Sequence, residues 1–253
     1  MDEVVLPYGS HGTGPVRVVA LHGWLSDRHA FDALLPLIDA ATFTFVFPDV
    51  RGYGEAVDMP GEFTLDEVAR DVLRLVDELG WDSFSVVGHS MGGKAAQRIL
   101  ADAPDRVRKL VGISPVPASG VPFDEAGAAL FRDAIVNPDA RRTIIDAGTG
   151  RRYHNVWLDK MVEHSVRHST AAAFAGYLDS WSGTDFHDEV VGLATPVKTI
   201  VGAHDPDLTA DVMRATFLAW YLNCELETIS DAGHYAVDET PVLLAASLAA
   251  FLS

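Results

Sequence analysis

Ser90 stands between glycines in Gly88-His89-Ser90-Met91-Gly92, a G-x-S-x-G pattern. The apolar run 83–88 ends there and the alanine-rich stretch 95–101 follows. A sharp strand-to-helix step strains the backbone at such a serine, and flanking glycines remove the β-carbons that would collide. The hydroxyl is lifted beside the free N–H groups of a helix start, which stabilise developing negative charge. A serine hydroxyl is a poor nucleophile until a base takes its proton and an acid orients that base. In this nucleophile-elbow arrangement the chain order is serine, acid, histidine. Asp205 lies just beyond the run 197–202, and His234 just beyond the run 224–229. Both fall on the sheet edge where Ser90 emerges, so the expected chemistry is acyl transfer.

Rival groups weigh less. Asp207 is two residues from Asp205 and is the alternative orienting acid. Asp49 and Arg51 read as ties for a turn, and Asp231 as a turn residue. His164 and His168 stand at i, i+4 on a helical stretch, which invites a metal, but the residue after His164 is Ser165 rather than the glutamate of a zincin helix. They are expected to be solvated, and no metal or cofactor is expected. Lys94 reads as a helix-surface residue. No phosphate-binding glycine loop of the G-x-x-x-x-G-K-[ST] kind is present.

These groups need a scaffold. Short apolar runs at 16–21, 43–48, 83–88, 107–113, 197–202 and 224–229 alternate with helical patterns, the signature of a parallel sheet covered on both faces. The stretch 64–79 places Leu65, Val68, Val72, Leu75, Val76 and Leu79 on one face, and Thr64 with Glu67 reads as a capping box. Pro241 suits the first turn of a helix over 242–252. The alternation fails between Ile113 and Val197. Helical patterns at 124–136, 154–168 and 170–181 fill that gap, with turn signals at Asn137-Pro138 and 148–150. This is the pattern of a helical cap over the strand ends. Its aromatic residues, Trp157 and Trp181 among them, serve mainly to attach it to the core, and a largely apolar pocket is expected beneath it.

The 253 residues carry 19 basic and 36 acidic side chains, a net charge of −17. Such a field repels phosphate backbones and anionic lipid, so neither nucleic acid nor membrane is an expected partner. The single cysteine, Cys224, forbids an internal disulfide and reads as a small buried hydrophobe. No secretory leader is evident at the N-terminus, and the apolar stretch 243–252 is too short to span a bilayer. The expected location is cytoplasmic.

Several separated motifs together resemble the α/β-hydrolase superfamily, in its capped esterase, lactonase and haloperoxidase-like branch. They are Leu21-His22-Gly23-Trp24, Pro48-Asp49-Val50-Arg51-Gly52-Tyr53-Gly54, the elbow around Ser90, Gly202 to Asp205, and Gly233-His234. The resemblance implies an α/β fold with a mostly parallel sheet of about seven strands flanked by helices, against a usual sheet of five or six. It implies a core of residues 1–115 and 196–253, with the cap, 116–195, inserted after the strand ending near Ile113. The family usually opens with a β-hairpin, whereas here only 4–6 reads as strand, so one strand is expected to be missing. By the same resemblance Ser90, Asp205 and His234 form the catalytic triad. The backbone N–H groups of Trp24 and Met91 form the oxyanion hole, His22 fixes the oxyanion loop, and no cofactor is required. Trp24 is the first substrate-pocket residue expected, followed by Trp157 and Trp181.

A serine nucleophile argues against the aspartate chemistry of haloalkane dehalogenases and epoxide hydrolases. The expected activity is hydrolysis of a small or medium, largely apolar carboxylic ester. Lactonase or perhydrolase activity on the same triad is the near alternative. A small-molecule receptor with slow hydrolysis is the alternative of another class.

Overall fold

The structure is a computed structural model, and it describes residues 5–253. Seven strands form one sheet: β1 (Tyr8–His11), β2 (Val16–Leu21), β3 (Phe43–Pro48), β4 (Phe84–His89), β5 (Val107–Ile113), β6 (Val197–Gly202) and β7 (Cys224–Ile229). Their spatial order is β1-β3-β2-β4-β5-β6-β7. β1 pairs antiparallel with β3, and every other pairing is parallel. The central strands are apolar on both sides because helices cover both faces. One apolar cluster includes Val19, Val86, Val72 and Ile99, and the other includes Val18, Val87, Ile200 and Leu248.

The first strand differs from expectation. Residue 4 lies outside the described residues, and Val5 and Leu6 are not strand. Leu6 instead plugs the core, and the Pro7 carbonyl accepts from Asp49 N (2.9 Å). The edge strand follows at Tyr8–His11, whose Gly9 and Ser10 carry no strand signal of their own. Register with β3, Gly9 opposite Phe47, supplies what propensity does not.

Helix α1 (Leu65–Glu78) buries the anticipated face against α2 (Met91–Asp102). Thr64 caps it by accepting from Glu67 N (3.2 Å). The Glu67 carboxylate accepts from Phe63 N (2.9 Å) instead of closing the box on Thr64. Four helices occupy the stretch between β5 and β6: α3 (Glu125–Asp133), α4 (Pro138–Gly148), α5 (Asn155–Arg167) and α6 (Ala171–Gly183). Three answer to the sequence patterns. The fourth, α4, grows from what read as a turn: the Asn137 side chain accepts from Asp139 N, and Pro138 occupies the first turn. After β6 come α7 (Ala210–Ala215) and α8 (Phe217–Trp220), and after β7 come α9 (Ala236–Glu239) and α10 (Pro241–Leu252). No helix among the described residues is long and apolar enough to cross a membrane.

Candidate active site

Ser90 joins β4 to α2 with φ 54° and ψ −115°, a conformation that L-residues rarely adopt. Its backbone is held there from three sides. Ser90 N donates to Ile113 O (3.0 Å), and Ser90 O accepts from Val116 N (3.1 Å) and Gly93 N (2.9 Å). The two flanking glycines are required by crowding. A β-carbon on Gly88 would lie 2.1 Å from the carbonyl oxygen of Gly92, and one on Gly92 would lie 2.4 Å from that of Leu21. The strain is thus sustained by the surrounding packing, as strained functional turns require.

Asp205 follows β6 and is buried. Its Oδ1 accepts from Asp207 N (3.1 Å) and Leu208 N (3.0 Å), leaving Oδ2 to accept from His234 Nδ1 (2.8 Å). Burial alone would push the carboxyl pKa up. The His234 charge and these hydrogen bonds outweigh it, and the pKa lies below the ordinary value. For His234 burial lowers the pKa, while the Asp205 charge and hydrogen bond raise it, and the net shift is upward. The bond at Nδ1 directs Nε2 as the ring's proton acceptor. The His234 backbone is fixed as well: its N donates to Gly148 O (2.8 Å), and its carbonyl accepts from His89 Nε2 (2.8 Å).

The loop after β2 brings Trp24 to the same place. Among the described residues no acceptor is found for the backbone N–H of Trp24 or of Met91. The Trp24 carbonyl accepts from Tyr53 Oη (2.9 Å), and its indole N–H donates to Phe174 O (2.9 Å). His22 secures the loop through Gly23 O (2.9 Å) and Val50 N (3.3 Å). A cavity of about 80 Å³ connects these parts. Ser90, Asp205 and His234 line it together with Trp24, Phe131, Trp181 and other apolar side chains from both the sheet edge and the helices between β5 and β6.

Residues 16–241 match the family model described as the alpha/beta hydrolase fold. The chain belongs to this family.

A soluble epoxide hydrolase of Corynebacterium sp. (strain C12) is 26% identical over 92% of this chain and 88% of its own. A bromoperoxidase structure from Bacillus anthracis superposes with a TM-score of 0.86 at 20% identity, covering 97% of this chain and 94% of that one. A structure described as an N-acyl homoserine lactone degrading enzyme superposes with a TM-score of 0.81 at 26% identity, covering 99% and 98%. The chain spans less than half the length of several other curated relatives it matches.

In this α/β hydrolase some side chains stand elsewhere than the sequence suggested. Trp157 does not line the cavity; it packs edge-on against Tyr235, ring centroids 5.8 Å apart, outside it. Lys94 is not on the helix surface but fully buried. Its ammonium donates to Trp181 O (3.0 Å) and Thr184 O (2.5 Å), and burial lowers its pKa to about 8. Helix periodicity cannot foresee this, because the covering surface comes from residues some ninety positions away. His164 and His168 are not simply solvated: both face the buried carboxylate of Asp27. Asp207 lines the cavity but makes no bond to His234, and burial followed by the Asp205 charge raises its pKa. Asp49 and Arg51 do tie the turn. Asp49 accepts from Arg28 N and Glu55 N (both 2.9 Å), and Arg51 clasps Asp71 through Nε (2.6 Å) and Nη2 (3.0 Å).

Two supporting residues were missed. The Glu239 carboxylate accepts from Gly233 N (2.9 Å) and Tyr235 N (3.0 Å), bracketing His234, and pairs with Arg152. His89 occupies an unspecified position of the G-x-S-x-G pattern, yet burial drives its pKa down to about 3, so it supports the His234 carbonyl as a neutral donor. No sequence signal marks either one, since both act through backbone atoms.

Proposed function

We propose that this hydrolase cleaves a carboxylic ester of a small or medium, largely apolar substrate by a serine-centred acyl transfer. The observation that carries the reading is a strained elbow serine sharing one cavity with a histidine that is hydrogen-bonded, at 2.8 Å, to a buried aspartate. His234 Nε2 takes the Ser90 proton as Oγ attacks the carbonyl carbon. The resulting oxyanion is met by the N–H groups of Trp24 and Met91. The C–O bond to the alcohol breaks, and His234 returns the proton to the leaving oxygen. Water, deprotonated by the same imidazole, then attacks the acyl-enzyme and releases the acid and Ser90. Asp205 keeps the imidazole in the tautomer this requires.

The helices within 116–195 act as a cap, and Phe131, Trp181 and Trp24 select apolar acyl groups. The acidic surface disfavours nucleic acid and membrane as partners, and the reading is of a cytoplasmic enzyme acting on a small molecule. Lactone hydrolysis is the second reading, favoured by the likeness to the N-acyl homoserine lactone degrading enzyme.

The test is turnover of p-nitrophenyl esters of increasing acyl length and of N-acyl lactones, with wild type and Ser90→Ala side by side. The wild type turns over repeatedly, and Ser90→Ala loses on the order of 10³-fold or more with the fold intact. Near-wild-type activity in Ser90→Ala overturns the assignment of the nucleophile. A lactone preference moves the substrate class while keeping the triad.

A further inference from the structure

Asp27, at the end of the loop that carries Trp24, is fully buried. Its Oδ1 accepts from His29 N (2.9 Å) and meets His164 Nε2 at 2.9 Å. Its Oδ2 stands 3.2 Å from His168 Nδ1 but has no hydrogen-bond partner among the described residues. A buried carboxylate oxygen without a donor is costly, and such groups are normally paired or bound to a cation. The two imidazoles meet edge to face, with His168 Nδ1 3.2 Å from both ring nitrogens of His164. Each ring approaches a different oxygen of Asp27, His164 Nε2 at Oδ1 (2.9 Å) and His168 Nδ1 at Oδ2 (3.2 Å).

One donor atom from each of Asp27, His164 and His168 lies within 4.8 Å of the others, near enough for a single ion to reach all three. Ligand atoms about 2.0–2.2 Å from a zinc-like ion stand about 3.3–3.5 Å apart. The three groups are also preorganised by contacts other than their own. Asp27 opens the short turn Arg28–Phe31, and the His168 carbonyl accepts from Gly54 N (2.9 Å). His164 lies one helical turn earlier, in the last turn of α5. Their side chains keep 29% and 36% exposure, which leaves an approach from solvent and room for a water ligand.

We propose that Asp27, His164 and His168 form a binding site for a divalent late first-row transition ion of the zinc class. Two imidazoles select such an ion over magnesium or calcium, which prefer oxygen alone. The ion joins α5 to the loop after β2, whose residues Trp24 to Ser26 line the cavity. Its role is to fasten the inserted helices over the sheet edge, apart from the acyl chemistry of Ser90, and its detection does not depend on that chemistry.

The test is calorimetric titration of the chelator-stripped full chain with Zn²⁺, with Co²⁺ absorption reporting coordination geometry. One ion per chain is expected, with a tetrahedral cobalt spectrum and a Tm raised by the ion. His164→Gln and His168→Gln each weaken binding by about tenfold or more, whereas His187→Gln, at an exposed acidic pair, leaves it unchanged. Zn²⁺-induced shifts of the His164 and His168 ring signals in the unsubstituted chain answer the question if a variant is unstable. Absence of saturable binding, binding that survives both substitutions, or unmoved ring signals overturns the site.

Discussion

Under the proposed acyl transfer, Ser90, His234 and Asp205 would divide the work by their surroundings. The serine is strained by its neighbours, the Asp205 pKa is held below its ordinary value against burial by the His234 charge and by hydrogen bonds from His234 and two backbone N–H groups, and the Asp205 charge in turn raises the His234 pKa. The base must be neutral to accept the Ser90 proton, so activity falls as pH drops through the His234 pKa. That pKa lies above its ordinary value, so the acid limb of kcat/KM is expected to have its midpoint above about 6.5. Asp205→Asn removes the charge that raised it. The limb then moves to lower pH, and kcat falls by on the order of 10³–10⁴-fold. Asp207→Asn, which loses no bond to His234, should stay within about tenfold of wild type. A pH–rate series on the three proteins checks all of this, and the opposite ranking of the two variants would make Asp207 the orienting acid.

At the scale of elements, the loop after β2 is the least self-sufficient part of the site. It is short and irregular, and it is held by a turn after β3 and by α6. Tyr53 is the tie from the turn, fully buried, with its hydroxyl on the Trp24 carbonyl. Tyr53→Phe keeps the ring packing against Tyr177 but strands that carbonyl. A loss of about 1–3 kcal/mol in stability is expected by denaturant titration. The kcat should fall while KM for a neutral ester changes little, because the Trp24 N–H, the proposed oxyanion donor, is displaced more than the pocket is. A purely structural tie would lower Tm and leave kcat untouched.

Across the whole molecule the net charge of −17 acts on whatever approaches. Its long-range field is screened within about 8–10 Å at ordinary salt. For a dianionic ester kcat/KM is therefore expected to rise with ionic strength, whereas for a neutral ester of equal acyl length it stays level. Stopped-flow or steady-state rates across a salt series separate the two. A flat response for both would mean that local groups at the cavity mouth govern access, and Lys94, sealed inside, is not among them.

Much of the active-site plan is local and was therefore open to reading from the chain. A glycine pair around a serine, with an apolar run before it and a helix after it, states the elbow locally, because the constraint is a steric one between near neighbours. The positions of Ser90, Asp205 and His234 beyond strand ends predict that they meet, because strand ends in a parallel sheet gather on one edge, and the three do line one cavity. Six of the seven strands coincide with runs visible in the sequence; the central ones are apolar because both faces are buried, whereas β7 alternates Glu225 and Glu227 with Cys224 and Leu226 and is only partly buried. Tertiary structure alone decided the rest. Tyr8–His11 became a strand through pairing with β3. Lys94 went inside because carbonyls of α6 and the residues after it were there to receive it. Asp27 met His164 and His168 across 137 and 141 positions of chain, a distance over which no periodicity or spacing rule carries information. Only packing of α5 against the loop after β2 brings those three side chains together.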